Sequence, residues 1–373
     1  MVITSTISAV ISVPGYFEKL STQTASGSMP DIVQMDYLYL TTYAKNNSVA
    51  DLQPYIDNGT IDVSKIDEKL LNTGKINDKM TGLVLSSSMI NIGYNPDIFA
   101  EAGVQEPAPD WTWSDFIKMS STIHEKTGKL GVSADPVGDT NFFNYWVRQH
   151  GSSLFSEDNK SLGYEDDKIF EDFITMWKDM MDADVLPTPD EYAQIETLGQ
   201  EAGPVVTGEA GMIQEWNNYA SKLSAVNDKL KMVTPPMSDD TDNKGLWMKP
   251  GMFFSIAETS KVKDEAAKFI DWFINSEEAN EIMMGERGVP VSSDIREHLV
   301  ESDKLNRQQI EMFEGVDAAA EMCGETPAPD PVGMSEINEA FKNAANTVFY
   351  GQATAKESAA AFRTEVEAIL ARN

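Results

Sequence analysis

The chain has 373 residues, of which 41% are hydrophobic and 24% charged, so it is long enough for two domains and too apolar to be disordered. Its 60 acidic and 29 basic side chains give a formal net charge of −31, which argues against nucleic acid as a partner. The sequence contains no run of about 18 apolar residues, the length that a membrane-spanning helix needs. The single cysteine, Cys323, excludes an intrachain disulfide.

The first predicted elements lead to a cluster of polar and aromatic side chains. Residues 2–20 are enough for one strand and one helix, and the apolar stretch 32–35 predicts a further strand, followed by a helix at 38–46. Asp36 and Tyr37 therefore lie at the carboxyl end of a strand, where open α/β sheets bind small ligands. The alternatives are an N-cap for Asp36 and packing at the helix start for Tyr37.

A serine run and several predicted helices follow along the chain. Residues 82–94 carry apolar side chains on both sides of a serine run that includes Ser87 and Ser88, and this pattern predicts a crossing between two domains. Thr112 begins a helix, with Asp115 three residues later as in a capping box. Further helices are predicted at 97–102, 167–183 and 262–275.

An aromatic-rich run begins at Asn141. Phe142 and Tyr145 have the helical spacing of buried positions. Asn141, Trp146 and Arg148 are candidates for contacts with a ligand, because they combine amide, aromatic and cationic groups on one short segment. Packing is the alternative role for Trp146 and Arg148.

Several motifs occur in order along most of the chain. They are ASGSMPDI at 25–32, YNPDIF at 94–99 followed by AG at 102–103, WTWSDF at 111–116, GEAGM at 208–212 followed by Trp216, and the segments 266–276 and 288–290. In this order and spacing they resemble the extracellular solute-binding protein family 1. Members of that family are the substrate-binding components of carbohydrate ABC transporters and are similar to maltose-binding protein.

The resemblance implies an α/β fold of the two-lobed, type II periplasmic-binding-protein class, in which each lobe is a sheet flanked by helices and a hinge joins the lobes. The expected N-terminal lobe comprises residues 1–88 and 250–303, and the expected C-terminal lobe residues 89–249 and 304–373. Relatives usually carry a first strand, a first helix and a second strand before the element that matches residues 25–32, whereas residues 2–20 are enough for one strand and one helix. The first β-α unit of the N-terminal lobe is therefore expected to be absent from this chain.

A sugar presents hydroxyl groups, which need polar or charged partners, and C–H faces, which pack on aromatic rings. Trp216 follows a predicted short strand, and in the family a residue at this position commonly stacks on the sugar ring; burial inside the C-terminal lobe is the alternative. Gly251 and Met252 lie near the expected second crossing. The candidate ligand contacts are Asp36, Tyr37, Ser87, Ser88, Asn141, Trp146, Arg148, Glu215, Trp216, Asn218, Gly251 and Met252.

Enzyme chemistry is not expected. His124, His150 and His298 lack the spacing of a metal site, and no nucleophile-elbow, dinucleotide or P-loop motif occurs. The Asp-rich loop at 239–242 lacks the ligand pattern of a calcium site, and Cys323 has no histidine nearby in sequence to activate it. No metal or cofactor is therefore expected. A glycosidase with paired carboxylates is the remaining enzymatic alternative.

The expected function is to capture a sugar or oligosaccharide and deliver it to the permease subunits of an ABC importer. The alternatives are an acidic, uronic ligand that pairs with Arg148 or Arg287, and an interaction protein that has lost transport. The expected protein is a monomer outside the cytoplasm, either in the periplasm or as a cell-surface lipoprotein. The opening MVITSTISAV lacks a signal segment.

Overall fold

The computed structural model describes residues 13–218 and 226–372, in which helices and strands alternate as the α/β pattern predicts. The first helix, α1 (Val13–Ala25), is followed by β1 (Ile32–Met35) and by α2 (Tyr37–Lys45). These bounds confirm the strand and the helix that are predicted on the two sides of Asp36. The strand expected before α1 lies outside the described residues.

An antiparallel sheet supports the N-terminal lobe. β1 pairs with β11 (Phe253–Ile256), and β11 pairs on its other side with β4 (Leu83–Val84). Val33 and Met35 of β1 are buried and their neighbours are half-buried, which is the two-residue alternation of a strand with one face on the core. Among the described residues no strand pairs with the outer edge of β1. The expected absence of a first β-α unit stays a prediction.

The C-terminal lobe is built on a mixed sheet with the strand order β7-β8-β6-β9, where β6 is Ile90–Tyr94, β7 is Leu130–Val132, β8 is Ala210–Trp216 and β9 is Lys231–Val233. β7 and β8 are parallel, and β6 is antiparallel to both β8 and β9. As a result, the carboxyl ends of β7 and β8 lie at the same edge of the sheet as the amino end of β6.

A third, small sheet joins the lobes. Its central strand is β5 (Ser86–Ser88), which pairs with β10 (Lys249–Pro250) on one side and with β12 (Val289–Pro290) on the other. One residue separates β4 from β5, and one residue separates β5 from β6. The chain therefore passes from one lobe sheet through this crossing sheet into the other, as the serine run in residues 82–94 predicts.

The helices predicted from the sequence are present. α6 (Trp113–Thr127) begins with a capping box, in which the Asp115 carboxylate accepts a hydrogen bond from the Thr112 backbone N–H at 3.1 Å. The helices predicted at 97–102, 167–183 and 262–275 are confirmed by α5 (Pro96–Ala102), α8 (Lys168–Asp182) and α11 (Lys263–Asn275). The remaining elements of the described chain are α3 (Gln53–Asp57), α4 (Glu68–Asn72), β2 (Lys75–Ile76), β3 (Lys79–Met80), α7 (Asn141–Gln149), α9 (Pro189–Glu196), α10 (Pro204–Thr207), α12 (Glu277–Met283), α13 (Ser293–Glu301), α14 (Arg307–Ala319), α15 (Met334–Phe349) and α16 (Ala355–Arg372).

An aromatic core holds the C-terminal lobe together. Phe143 of α7, Phe170 and Phe173 of α8, Phe341 of α15 and Phe362 of α16 are fully buried, and the ring centroids of Phe143 and Phe341 are 5.1 Å apart. Each such pair adds about 0.5–1.5 kcal/mol to the burial of its apolar area. This core fixes α7, and with it the polar residues at the amino end of that helix.

Candidate ligand-binding site

Two strand ends and a crossing strand approach one another between the lobes. Asp36 and Tyr37 directly follow β1 in the N-terminal lobe, and Trp216 ends β8 in the C-terminal lobe. Lys249, in β10 of the crossing sheet, holds its ammonium group 4.8 Å from the centre of the Trp216 ring. We call the space between these side chains the cleft.

A segment that the sequence reasoning missed bridges this cleft. Residues 324–332 connect the end of the α14 region to α15 without helix or strand, and we call them the strap. The Tyr37 hydroxyl of the N-terminal lobe donates a hydrogen bond to the Pro327 carbonyl at 3.1 Å. The Asn159 amide of the C-terminal lobe donates to the Pro329 carbonyl at 3.4 Å. The strap is thus hydrogen-bonded to both lobes.

Asp330, on the strap, lies within electrostatic reach of both lobes. Partial desolvation between the lobes raises the pKa of its carboxyl, Asp36 and Asp139 raise that pKa further by their negative charge, and Lys249 lowers it. The side chain also contacts solvent along the cleft, so screening weakens each of these effects. Asp36 directly follows β1, Asp139 lies in the loop before α7, and Asp330 lies on the strap, so the groups that act on Asp330 come from separate parts of the chain.

Tyr37 is held as a neutral donor at the N-terminal side of the cleft. Burial and the negative charge of Asp330 raise the pKa of its hydroxyl to about 12. Its ring lies 5.8 Å from the ring of Phe253 in β11. The structure therefore gives Tyr37 a packing contact and a hydrogen bond to the strap, which places it in the wall of the cleft.

Trp216 and its neighbours form the C-terminal side of the cleft. Trp216 is half-buried, with one contact made by the Lys249 ammonium, so the ring is neither enclosed in the core nor fully exposed. The Glu215 carboxylate accepts a hydrogen bond from the Gln200 amide at 3.3 Å, and Asn218 is exposed. The structure thus brings Trp216 and Glu215 to the strand end where the sequence predicts them.

Tyr192 is a second residue that sequence reasoning missed. It lies on α9, half-buried, and burial together with the charges of Asp135 and Glu215 raises the pKa of its hydroxyl to about 12. Asp135 follows β7, whose carboxyl end lies beside that of β8. Tyr192 therefore adds an aromatic ring next to Glu215 on the C-terminal side. The sequence signal beside it, the capping box of Thr188 and Glu191, indicates where α9 begins and not a binding site.

Two of the predicted contacts have structural partners instead. The Trp146 indole N–H donates to the Ile169 carbonyl at 3.0 Å, and its ring lies 5.4 Å from the ring of Trp113. The Arg148 guanidinium donates to the Gly245 carbonyl at 2.9 Å and lies 5.5 Å from the centre of the Trp247 ring. These contacts favour the packing role for Trp146, whereas Arg148 also lines the cavity described below, and a ligand contact of either residue stays a prediction.

Asn141 lies at the start of a helix, and its contact with a ligand stays a prediction. It is the first residue of α7, and its backbone N–H donates to the Asp139 carboxylate at 2.8 Å. Asp139 is one of the groups whose charge reaches Asp330. The amino end of α7 is therefore hydrogen-bonded to one of the carboxylates that act on Asp330.

The four candidates in and beside the crossing sheet differ in exposure. Ser87 is 2% exposed and pairs with both outer strands, whereas Ser88 is half-buried. A Cβ on Gly251 would lie 2.1 Å from the Ser86 hydroxyl oxygen, so any side chain there would have to displace that hydroxyl. Met252 is half-buried. These positions build the floor of the cleft more than they offer groups to a ligand.

A cavity of about 400 Å³ extends the cleft on the C-terminal side. Its lining includes the strap residues Ala328 and Asp330 and, from the rest of the C-terminal lobe, Asn144, Arg148, Phe155 and Glu165. This size lies within the range of about 300–1,000 Å³ that is usual for small-ligand sites. The cavity combines a ring, an amide and carboxylates, as a polyhydroxylated ligand requires.

The rest of the described chain shows neither a metal centre nor a membrane span. Over residues 13–218 and 226–372, no three His, Cys, Asp or Glu side chains are grouped so that they could hold a metal ion. No helix in those ranges is long and apolar enough to cross a membrane. Cys323 is buried, and this burial raises the pKa of its thiol to about 12.

The fold has two lobes, each built on one main sheet, a crossing sheet between them and a cleft that both lobes line. This arrangement defines a two-lobed solute-binding protein. The family model described as "Bacterial extracellular solute-binding protein" matches residues 9–280, and the chain belongs to this family. This match confirms the resemblance drawn from the motifs. A binding protein of Brucella abortus (strain 2308) is 22% identical over 344 residues, which cover 90% of this chain and 78% of that protein.

Solved structures agree in fold. An extracellular solute-binding protein family 1 structure from Alicyclobacillus acidocaldarius has a TM-score of 0.84 and 28% identity, covering 96% of this chain and 88% of that one. A periplasmic oligogalacturonide binding protein from Yersinia enterocolitica has a TM-score of 0.79 and 26% identity, covering 96% of this chain and 90% of that one.

Proposed function

We propose that this protein is the substrate-binding component of a carbohydrate ABC importer, and that it captures a sugar or oligosaccharide in the cleft. The observation that supports this function is that Lys249 lies 4.8 Å from the centre of the Trp216 ring and, like Asp36, acts electrostatically on the Asp330 carboxyl of the strap. An aromatic ring can pack on the C–H face of a sugar, while carboxylates accept hydrogen bonds from its hydroxyl groups.

The ligand would act by selecting between two arrangements of the lobes. Contacts from both lobes and from the strap are complete only when the lobes are close together, so a bound sugar favours the closed arrangement. The lobes would rotate about the crossing sheet, which contains β5, β10 and β12. The permease of the importer would recognise the closed form outside the cytoplasm, with the binding protein as a monomer.

The first experiment is a thermal-shift screen against neutral and uronic oligosaccharides, followed by calorimetry on each hit. A ligand present at about 100 times its dissociation constant stabilises the folded state by about 2.7 kcal/mol, which is easily measured. We expect a selective rise in melting temperature, with the sugar recovered unchanged. If no sugar in the screen shifts the transition, carbohydrate binding is wrong.

A uronic oligosaccharide is the second candidate ligand. It is favoured by the similarity to the oligogalacturonide binding protein, which is 26% identical. The same screen separates the two ligand classes directly. It also tests the enzymatic alternative, because breakdown of the sugar would indicate a glycosidase, whereas we propose that the chain binds without catalysis.

A further inference from the structure

Residues 153–165, between α7 and α8, contribute most of the lining of the cavity beside the strap, and we call them the hairpin. The Ser156 backbone N–H donates to the Ser161 carbonyl at 3.0 Å, and the Gly163 backbone N–H donates to the Leu154 carbonyl at 3.0 Å. These bonds run between the two arms of the hairpin, so its own backbone fixes its shape.

Phe155 brings an aromatic ring to this cavity. Leu154, beside it, and Leu162, its partner across the hairpin, are buried, whereas Phe155 is half-buried. Phe155 is the one aromatic residue in the described lining of the cavity, and within residues 13–218 and 226–372 no other aromatic ring is paired with it. The ring is therefore available to a molecule in the cavity.

Polar groups line the same cavity. Asn144 and Arg148 reach it from α7, and Glu165 reaches it from the end of the hairpin. They supply an amide, a guanidinium and a carboxylate, which are the donors and acceptors that sugar hydroxyl groups need. A ring with such groups in one cavity suits a sugar, because a sugar presents C–H faces as well as hydroxyl groups.

The strap, which contributes the rest of the lining, is held in place by hydrogen bonds to the C-terminal lobe. The Arg148 guanidinium donates to the Glu325 carbonyl at 2.6 Å, and the Asn159 amide of the hairpin donates to the Pro329 carbonyl at 3.4 Å. The strap and the hairpin are thus joined to each other directly. A preformed cavity of this kind loses less conformational entropy when a ligand binds.

The strap also connects the cavity to the cleft. Pro327 lines the cavity, and its carbonyl accepts the hydrogen bond of Tyr37, which belongs to the wall of the cleft. Trp216 is not among the residues that line the cavity. Phe155 on the hairpin and Trp216 at the end of β8 are therefore two separate aromatic rings, one in the cavity and one in the adjoining cleft.

We propose that Phe155 forms a second sugar-binding subsite, which takes a further ring of an oligosaccharide whose first ring packs on Trp216. This inference rests on the proposed sugar-binding function and gives its substrate class. Each aromatic side chain packs on the C–H face of one sugar ring, so a ligand that uses both has at least two rings. The protein therefore selects oligosaccharides over monosaccharides.

The test uses sugars that differ in length. Glucose, galacturonate, their α-1,4-linked oligomers and the β-1,4-linked oligomers of glucose are titrated into the purified full chain by calorimetry, each up to the tetrasaccharide. The same titrations are made on Phe155→Ala, which removes the ring from the cavity. The matched control is Phe269→Ala, since Phe269 is also half-buried but lies on α11, outside the lining of the cavity.

The expected result is that the wild type binds the best oligomer of one series at least about tenfold more tightly than its monosaccharide, the scale of one aromatic contact. Phe155→Ala should weaken binding of that oligomer about tenfold and leave any measurable binding of the monosaccharide within about twofold. Phe269→Ala should change neither. Phe155→Leu provides a second variant in case the first does not fold, because it keeps an apolar side chain and lacks the flat ring, and it should shift the affinity for the oligomer in the same direction.

Three outcomes would overturn the inference. Equal or tighter binding of the monosaccharide by the wild type would show that no second ring is recognised, while leaving sugar binding intact. An unchanged affinity for the oligomer in both Phe155 variants, or an equal loss in Phe269→Ala, would take Phe155 out of the subsite. Failure of every monosaccharide and oligomer to bind would refute the proposed function, and this inference with it.

Discussion

Trp216 is the residue at which the proposed function is most directly tested. Its ring is half-buried at the end of β8, where it can contact a ligand on one side and the lobe on the other. Replacement by alanine should weaken sugar binding several-fold to a hundredfold, consistent with about 1–3 kcal/mol for an aromatic contact in a binding site. Calorimetry on the tightest sugar of the screen measures this loss.

Trp272 is the matched control for this substitution. It is 43% exposed on α11, and its ring lies 5.7 Å from that of Phe269 on the same helix. Trp272→Ala should leave the affinity within about twofold of the wild type. Equal losses in the two variants, or no loss in Trp216→Ala, would take Trp216 out of the site.

The raised pKa of Asp330 predicts how the free energy of unfolding depends on pH. Its pKa is raised in the folded protein, so the folded state binds this proton more tightly than the unfolded state does. Its charged form therefore lowers the free energy of unfolding as the pH rises above the pKa of a free aspartate, about 3.9. Asp330→Asn should raise the melting temperature slightly at pH 7, and the difference should disappear near pH 3.

The size of this effect is limited by solvent. Because the side chain contacts water along the cleft, the rise in melting temperature should be about 1 °C and not several. Thermal unfolding without ligand, at several pH values, provides the measurement. A lower melting temperature for the variant at pH 7 would mean that the Asp330 carboxylate is stabilised by partners that outweigh the neighbouring acids.

At the scale of elements, the packing of α6 on β7 depends on one glycine. A Cβ on Gly131 would lie within 3.0 Å of the Ser120 backbone, so the helix and the strand approach each other directly. Gly131→Ala should therefore destabilise the protein by about 1–3 kcal/mol, because backbone has to move. Urea unfolding followed by circular dichroism measures the change.

Gly315 is the contrasting position for the same substitution. It lies inside α14, and a Cβ there would be 3.9 Å from the Met89 methyl group, an ordinary contact. Gly315→Ala should stabilise the protein by about 0.5–1 kcal/mol, since alanine is the better helix former. If both substitutions change the free energy of unfolding equally, the close approach of α6 and β7 is not what Gly131 permits.

Local patterns predicted the elements well and the contacts between distant segments poorly. The capping box at Thr112, the strand before Asp36 and the position of Trp216 at a strand end follow from signals within a few residues. The strap forms neither helix nor strand, so its sequence has no periodicity of side chains that could have identified it. Its bond to Tyr37 joins residues 290 positions apart, and no local rule predicts such a pairing.

The aromatic run in α7 shows a second limit. Asn141 and the burial of Phe142 and Tyr145 agree with the helical pattern. Trp146 and Arg148 lie on the same short helix, but their partners, Ile169 and Gly245, come from other parts of the chain. The sequence could place these side chains on a helix but could not show what faced them.

At the scale of the whole molecule, binding should change its dimensions. Closure of the lobes on a sugar draws their outer surfaces together, so the radius of gyration measured by X-ray scattering should fall when the sugar is added. Trp216→Ala, at a sugar concentration that saturates the wild type alone, should show a smaller fall. An unchanged radius in the saturated wild type would mean that binding does not close the lobes.

The crossing sheet also sets how this closure can proceed. Ser87 pairs with Pro250 on one side and Val289 on the other, so a twist of one connection is passed to the other two through a shared strand. Pro250 and Pro290 have no N–H to donate, which leaves the outer strands loosely tied to the central one. The three strands of the crossing sheet therefore move together, and the weak pairing lets the sheet deform easily. The lobes should turn with one dominant degree of freedom, and closure should follow a single exponential in time.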